Sequence, residues 1–189
     1  EIHERLVGSE MCIRDRFTHA VTALPEFPEV SVEVCDKLMD EAVSPLIDAW
    51  RESPMGESRR GEAVARRIRR TAKRTARNIV SQYADSSFRP AQMEFVFGQN
   101  GLSPIVLELG DGTFVYLQGR IDRVDVMTGG GLRVIDYKSG SRKFDPTLVY
   151  WGLQLQLLLY LAAALARVPG SHAAGFFYCR IADPTVQTE

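Results

Sequence analysis

The sequence predicts an α/β protein, with a mixed β-sheet flanked by helices and a helical extension on its N-terminal side. Three observations carry that prediction. Residues 29–50 and 57–83 place apolar residues at helical spacing. Residues 91–138 alternate apolar and polar positions between glycine-bearing turns, which is the pattern of strands. A Leu/Ala-rich stretch over 153–166 then separates the last of these strands from another strand signal near 173–181, the spacing of a crossover helix.

Taken in order, residues 17–24 end a helix, and Pro25 and Pro28 mark a loop. Val30, Val34, Leu38, Ala42 and Leu46 form one apolar stripe on a helix over 29–50. Ser53-Pro54-Met55-Gly56 breaks it. Residues 57–83 read as one long basic helix with Ala63, Val64, Ile68, Ala72, Ala76, Ile79 and Val80 inward. Strands are predicted at about 91–98, 103–109, 113–126 and 132–138, with turns at Gly98–Gly101 and Gly110-Asp111-Gly112. A helix near 147–167, a Pro169-Gly170 turn and a strand near 173–181 complete the order. The helix is apolar all round and is expected to be buried on most sides.

The chemistry concentrates in GRIDRVD (119–125) and LRVIDYKSG (132–140). Read as a hairpin, these stretches place Asp122 and Asp136 each seven residues from Gly129, and therefore opposite one another. Lys138 lies two residues beyond Asp136 and shares its face. Opposed acids repel unless a positive group lies between them, so two carboxylates with a lysine describe a hard-cation site with a basic group beside it. That chemistry suits metal-assisted phosphodiester cleavage: the metal polarises the phosphoryl oxygen and activates water, while the lysine orients that water or stabilises developing charge. The plain alternative is a surface hairpin with cross-strand ion pairs. Gln156 and Tyr160 are one helical turn apart and project together. Either they bond backbone within the core, or they hold a phosphate or the lysine at the edge of the metal site. Gln154 is a further candidate, pointing about 200° away from Gln156 on ideal helix geometry.

GRIDRVD followed by VIDYKSG resembles the RecB-type branch of the PD-(D/E)xK nucleases. Gln156-Leu157-Leu158-Leu159-Tyr160 resembles that branch's Q-x-x-x-Y helix. Phe88-Arg89-Pro90 with Glu94 and Phe97-Gly98, and Ala174-Gly175-Phe176-Phe177-Tyr178 near the end, resemble the AddB chains of bacterial AddAB helicase–nucleases. The likeness covers roughly residues 17–189 and is weak before Phe88. It implies a restriction-endonuclease-like core, with Asp122, Asp136 and Lys138 catalytic and Gln156 and Tyr160 positioning substrate. It implies Mg²⁺ or Mn²⁺ as cofactor, DNA as substrate, an AddA-like partner subunit, a role in recombinational repair and a bacterial cytoplasmic setting. Phe17-Thr18-His19-Ala20-Val21 resembles the G-x-x-x-H-x-x-L helix of the branch, which implies His19 as a metal ligand beside Asp122 and Asp136. Glu94 either reaches the metal through water or is a strand-end acid. Full-length AddB proteins hold an iron–sulfur cluster on four cysteines outside this stretch, so no such cluster is expected here. A stand-alone RecB-type exonuclease and a catalytically silent DNA-binding or scaffold domain are the alternatives.

Composition bounds the rest. A chain of 189 residues supports one domain with a sizeable core, and its net charge of −1 gives no global nucleic-acid signal. The charge is uneven, however: residues 59–77 carry nine Lys and Arg against Glu62. Arg66, Arg70 and Lys73 on this stripe are candidate DNA contacts, with a solvated helix face as the equal alternative. No convincing membrane span or secretory signal is present. Cys12, Cys35 and Cys179 form no metal-binding pattern, and the odd count suits a reducing compartment. Residues 6–16, Leu6-Val7-Gly8-Ser9-Glu10-Met11-Cys12-Ile13-Arg14-Asp15-Arg16, read as a translated sequencing adapter. Residues 1–16 are therefore expected to be non-native and outside the core, with order beginning near Phe17 and a nuclease domain, truncated at both ends, over 17–189.

Overall fold

The computed structural model describes residues 14–54, 56–99, 103–138 and 143–181. The chain forms two compact units, Glu1–Ser86 with Ile181–Glu189, and Ser87–Arg180.

The first unit is helical. Helix α1 spans residues 14–22, α2 Val32–Arg51 and α3 Arg59–Ala84. Helical order thus reaches at least three residues further back than the expected start at Phe17, and Arg14 is buried. Residues 1–13 lie outside the described residues. The Ser31 hydroxyl caps α2 by accepting from the Val34 amide, and Ser58 caps α3 by accepting from Gly61. Cys35, Met39, Val43 and Ile47 on α2 are buried, as are Ala65, Ala76, Ile79, Val80 and Tyr83 on α3. Much of the basic stripe on α3 is spent on α2. Lys73 Nζ lies 2.6 Å from Asp40, Arg69 Nε lies 3.4 Å from the same carboxylate, and Arg77 Nε donates to Asp36 at 2.8 Å. Hydrogen bonding from Arg77 holds the Asp36 carboxyl below its ordinary range. Arg66 pairs with Glu62 along its own helix at 3.4 Å. Burial pushes the Cys35 thiol up to about 11, so it behaves as a small apolar residue rather than a nucleophile.

The second unit carries the sheet. Strands β1 (Phe88–Phe97), β4 (Gly119–Met127), β5 (Gly131–Lys138) and β6 (His172–Arg180) lie in the order β1-β4-β5-β6. The first three are antiparallel, and β6 runs parallel to β5 after the crossover through α4 (Pro146–Tyr150) and α5 (Gln156–Arg167). Strands β2 (Ile105–Glu108) and β3 (Phe114–Leu117) pair as a separate hairpin. The sequence reading merges two pairs of elements that the structure separates. The strand expected over 113–126 is two strands in different sheets, parted at Gln118. The helix expected over 147–167 is α4 and α5, broken at residues 151–155, where Gly152 takes a φ of +73°.

Helix α5 and the sheet enclose the core of this unit. Phe95, Phe97, Ile121, Val124, Leu132 and Val134 pack with Leu161, Ala163 and Ala164. Only one side of α5 is sequestered: Leu157, Leu161, Ala163 and Ala164 are buried, while Leu158, Ala162 and Ala166 are exposed. An all-apolar helix is buried where it meets a sheet, and α5 meets a sheet on one side only among the described residues.

The β4–β5 hairpin closes through Thr128, Gly129 and Gly130, with φ of +100° and +88° at the two glycines. A side chain at either position would be strained, so the glycines fix the loop length and with it the register. Partners run from Val126↔Leu132 through Asp125↔Arg133 and Val124↔Val134 to Arg123↔Ile135. One face of the hairpin carries a buried charge network. Asp125 accepts from Arg133 Nε at 2.9 Å and lies 3.1 Å from Arg123 Nη2, while Arg123 Nη1 donates to the Tyr137 hydroxyl at 2.8 Å. Both Arg123 and Asp125 are 0% exposed.

Removing one partner of such a pair strands the other charge in a dry interior. Asp125→Ala is therefore expected to cost about 3–5 kcal/mol, read as a lowered denaturant midpoint. A loss under about 1 kcal/mol would place this network on the scale of surface pairs.

Candidate active site

The site forms where β4 and β5 part. Their shared ladder stops at Arg123↔Ile135, beyond which β4 continues beside β1 and β5 beside β6. The ladder ends one pair short of Asp122 and Asp136, the residues that the sequence reading sets opposite one another. At this fork the Tyr137 amide donates to Asp122 Oδ2 at 2.7 Å. That bond fixes one carboxylate at the fork.

Asp136 is 4% exposed. Its Oδ2 lies 2.6 Å from Lys138 Nζ, consistent with the two side chains standing two residues apart on one face. Gln156, the first residue of α5, joins the group. Its Nε2 donates to Asp136 Oδ1 at 3.3 Å and to the Tyr160 hydroxyl at 2.9 Å, and its Oε1 accepts from Lys138 Nζ at 3.4 Å. Gln156 and Tyr160 thus bond side chains of the acid–lysine cluster rather than backbone. Burial raises the Tyr160 hydroxyl above its ordinary pKa, opposed by the Gln156 bond and reinforced by Asp136 and Asp122.

The opening glycine of the GRID segment has a steric role. A Cβ on Gly119 would come within 2.8 Å of the Phe97 ring and 3.5 Å of the Tyr160 ring, so only glycine leaves room for the edge-on pair of those two rings.

The remaining candidates fall elsewhere. Glu94 is not a strand-end acid: it lies inside β1, between Met93↔Arg123 and Phe95↔Ile121, and so across from Asp122 in register. It has a φ of +51°, an uncommon conformation for a non-glycine residue, and its Oε2 lies 2.8 Å from Arg120 Nε. Gln154 precedes α5, so ideal helix geometry does not apply to it. Its Oε1 accepts from the Asp145 amide at 2.7 Å and its Nε2 donates to the Lys143 carbonyl at 2.9 Å, which ties the start of α4 to the start of α5. His19 is an exposed residue of α1, in the other unit. Among the described residues no three His, Cys, Asp or Glu side chains gather into a cluster able to hold a metal ion. Two residues escaped the sequence reading. Tyr178 is the register partner of Asp136 on β6, and Lys138 Nζ lies 5.6 Å from its ring centroid. Arg120 pairs with Glu94. The alternation of Arg120, Asp122 and Val124 along β4 signalled a shared face for Arg120, but nothing in it named Glu94 as the partner.

The oxygen donors fit a hard divalent cation, which is commonly held through one or two carboxylates and keeps water in the rest of its shell. Asp122 and Asp136 are the carboxylates that could hold such a cation, and Lys138 lies beside Asp136.

A mixed sheet with a crossover helix, and an Asp…Asp-x-Lys set at its fork, define a restriction-endonuclease-like nuclease core. The family profile of the PD-(D/E)XK nuclease superfamily matches residues 16–189, and the chain belongs to that family. It is also similar to proteins named as one of the subunits of an ATP-dependent helicase/deoxyribonuclease. The relative from Alkaliphilus metalliredigens is 34% identical over 173 residues, covering 86% of this chain and 15% of the relative. The relative from Geobacillus kaustophilus is 38% identical over 174 residues, covering 87% of this chain and 15% of the relative. The relative from Clostridium acetobutylicum is 38% identical over 144 residues, covering 74% and 12%. The chain therefore spans about one-seventh of the length of these relatives.

The Tyr160 environment has a spectroscopic consequence. Because its folded pKa is raised, the hydroxyl stays protonated, and able to hydrogen-bond, through the pH range in which an unperturbed tyrosine ionises. The difference in tyrosinate absorbance between the parent and Tyr160→Phe is expected to develop only above about pH 10. Its appearance below that pH would contradict the buried setting.

Proposed function

We propose that this chain is a Mg²⁺- or Mn²⁺-dependent deoxyribonuclease domain of an AddB-like helicase–nuclease protein, acting with an AddA-like partner on DNA in recombinational repair in the bacterial cytoplasm. The observation that carries the reading is the convergence of Asp122, Asp136, Lys138 and Gln156 at the β4–β5 fork. The family and the deoxyribonuclease relatives support it. No helix among the described residues is long and apolar enough to cross a membrane.

In this reading Asp122 and Asp136 hold the cation. A bound divalent cation supplies Lewis-acid polarisation of the phosphoryl oxygen and lowers the pKa of water. Asp122 is kept in place by the Tyr137 amide, and Asp136 by Gln156. Lys138 lies beside Asp136, where it orients the attacking water and offsets charge developing on the phosphate. Gln156 restrains both Asp136 and Lys138, and Tyr160 restrains Gln156, so these two position the reacting groups. Glu94 acts through Arg120 at the margin of the site. Arg66, Arg70 and Lys73 on α3 meet phosphates, in competition with the acids that Arg66 and Lys73 already pair with. Residues 1–16 are read as adapter-derived sequence outside the functional domain, although the family match takes in residue 16 and helix α1 takes in residues 14–16.

Hydrolysis of linear DNA is expected to require Mg²⁺ or Mn²⁺. It should fall at least about a hundred-fold in Asp136→Ala and in Lys138→Ala, with circular dichroism confirming the fold of each variant. Cleavage by folded Asp136→Ala at the parental rate would remove the site assignment. Charge neutralisation of Arg66 and Arg70 is expected to flatten the salt dependence of DNA affinity by about one unit of log–log slope per lost phosphate contact. An unchanged slope would return that stripe to solvent.

A further inference from the structure

Between Lys143 and Gln156 the chain carries a short helix that the cluster itself does not use. Helix α4 is capped by Asp145, whose Oδ1 accepts from the Thr147 amide at 2.8 Å, and begins with Pro146. Gln154 clamps its base through the Asp145 amide and the Lys143 carbonyl. The segment is therefore held at both ends. At its tip Tyr150 and Trp151 are 81% and 69% exposed, with ring centroids 5.2 Å apart and planes at 85°. Large aromatic side chains cost free energy when left in water, and neither ring is among the buried residues of the core. Trp151 precedes Gln156 by five residues, so its Cα lies within about 18 Å of that residue by chain length alone. A strand with one phosphate at the fork spans that distance with a few nucleotides. The exposed Lys143 at the root of the segment adds positive charge.

We propose that Tyr150 and Trp151 form a stacking platform for unpaired bases of a single DNA strand whose backbone runs to the Asp122–Asp136 fork. The proposal rests on the nuclease reading above and adds the residues that grip the strand beside the cut. Aromatic faces stack on any base, so the platform favours unpaired strands without selecting sequence. A base still paired in a duplex presents its faces to its neighbours in the stack, so duplex DNA gains little from these rings.

The test measures binding of a fluorescent oligothymidylate strand and of the same strand carrying abasic sites, in metal-free buffer so that nothing is cleaved. The parent is expected to bind the normal strand about five- to a hundred-fold more tightly than the abasic one. Trp151→Ala and Tyr150→Ala should lose most of that difference, and Trp151→Phe should keep it. Thermal unfolding should be unchanged in all three, since both rings are exposed. Equal parental affinity for the two strands, no parental binding of the normal strand, or an unaltered preference in both alanine variants would overturn the proposal. Abasic strands keep every phosphate, so the comparison isolates stacking from charge. Metal-dependent cleavage is scored separately with Asp136→Ala: cleavage lost in that variant beside an intact base preference in Trp151→Ala and Tyr150→Ala would reject the platform alone. A base preference held by the parent and lost in the alanine variants, without any cleavage, would retain the platform and reject the nuclease reading.

Discussion

The register of the β4–β5 hairpin governs the rest of this structure, because side chains alternate along a strand and a slip of one residue exchanges the two faces. In the observed register Asp125 meets Arg133 and lies beside Arg123, all on one face, while Asp122, Val124, Val134, Asp136 and Lys138 take the other. Any slip would strip Asp125 of its paired arginine and put charge against the Leu/Ala surface of α5. The penalty for an unpaired buried ion is several kcal/mol, comparable to the whole stability of a small domain. The charge network on one face therefore holds the carboxylates in place on the other. The two glycines of the loop set the same register from the turn end.

Given that register, the fork follows from strand lengths. Where β4 turns to β1 and β5 to β6, the Tyr137 amide donates to Asp122. Parallel pairing of β6 requires a crossover, and the crossover delivers the first turn of α5, with Gln156 and Tyr160, to the same place. The acid pair, the lysine and the amide bridge come from three elements whose positions have one common cause.

Much of this was legible in the sequence because it is local. Hairpin symmetry about Gly129 set Asp122 against Asp136, one pair beyond the observed ladder, and a two-residue spacing placed Lys138 beside the latter. The pairing of Gln156 with Tyr160 followed from one helical turn. What escaped notice depends on contacts between distant segments. The bond from Arg123 to Tyr137 and the partnership of Glu94 with Arg120 arise only when strands are assembled. The break before α5 was hidden because Leu153 and Leu155 continue its apolar pattern, although Gly152 takes a left-handed conformation there. The basic stripe on α3 looked like a phosphate surface, but the acids of α2 that pair with Lys73, Arg69 and Arg77 are 29 to 41 residues away in sequence.

In the proposed mechanism Asp122 and Asp136 together hold one divalent cation. Anomalous diffraction from crystals soaked in Mn²⁺ tests it most directly. A single strong peak is expected within about 2.0–2.3 Å of a carboxylate oxygen from each of these residues, lost in Asp136→Ala. A peak bound elsewhere, or full occupancy retained in that variant, would contradict it.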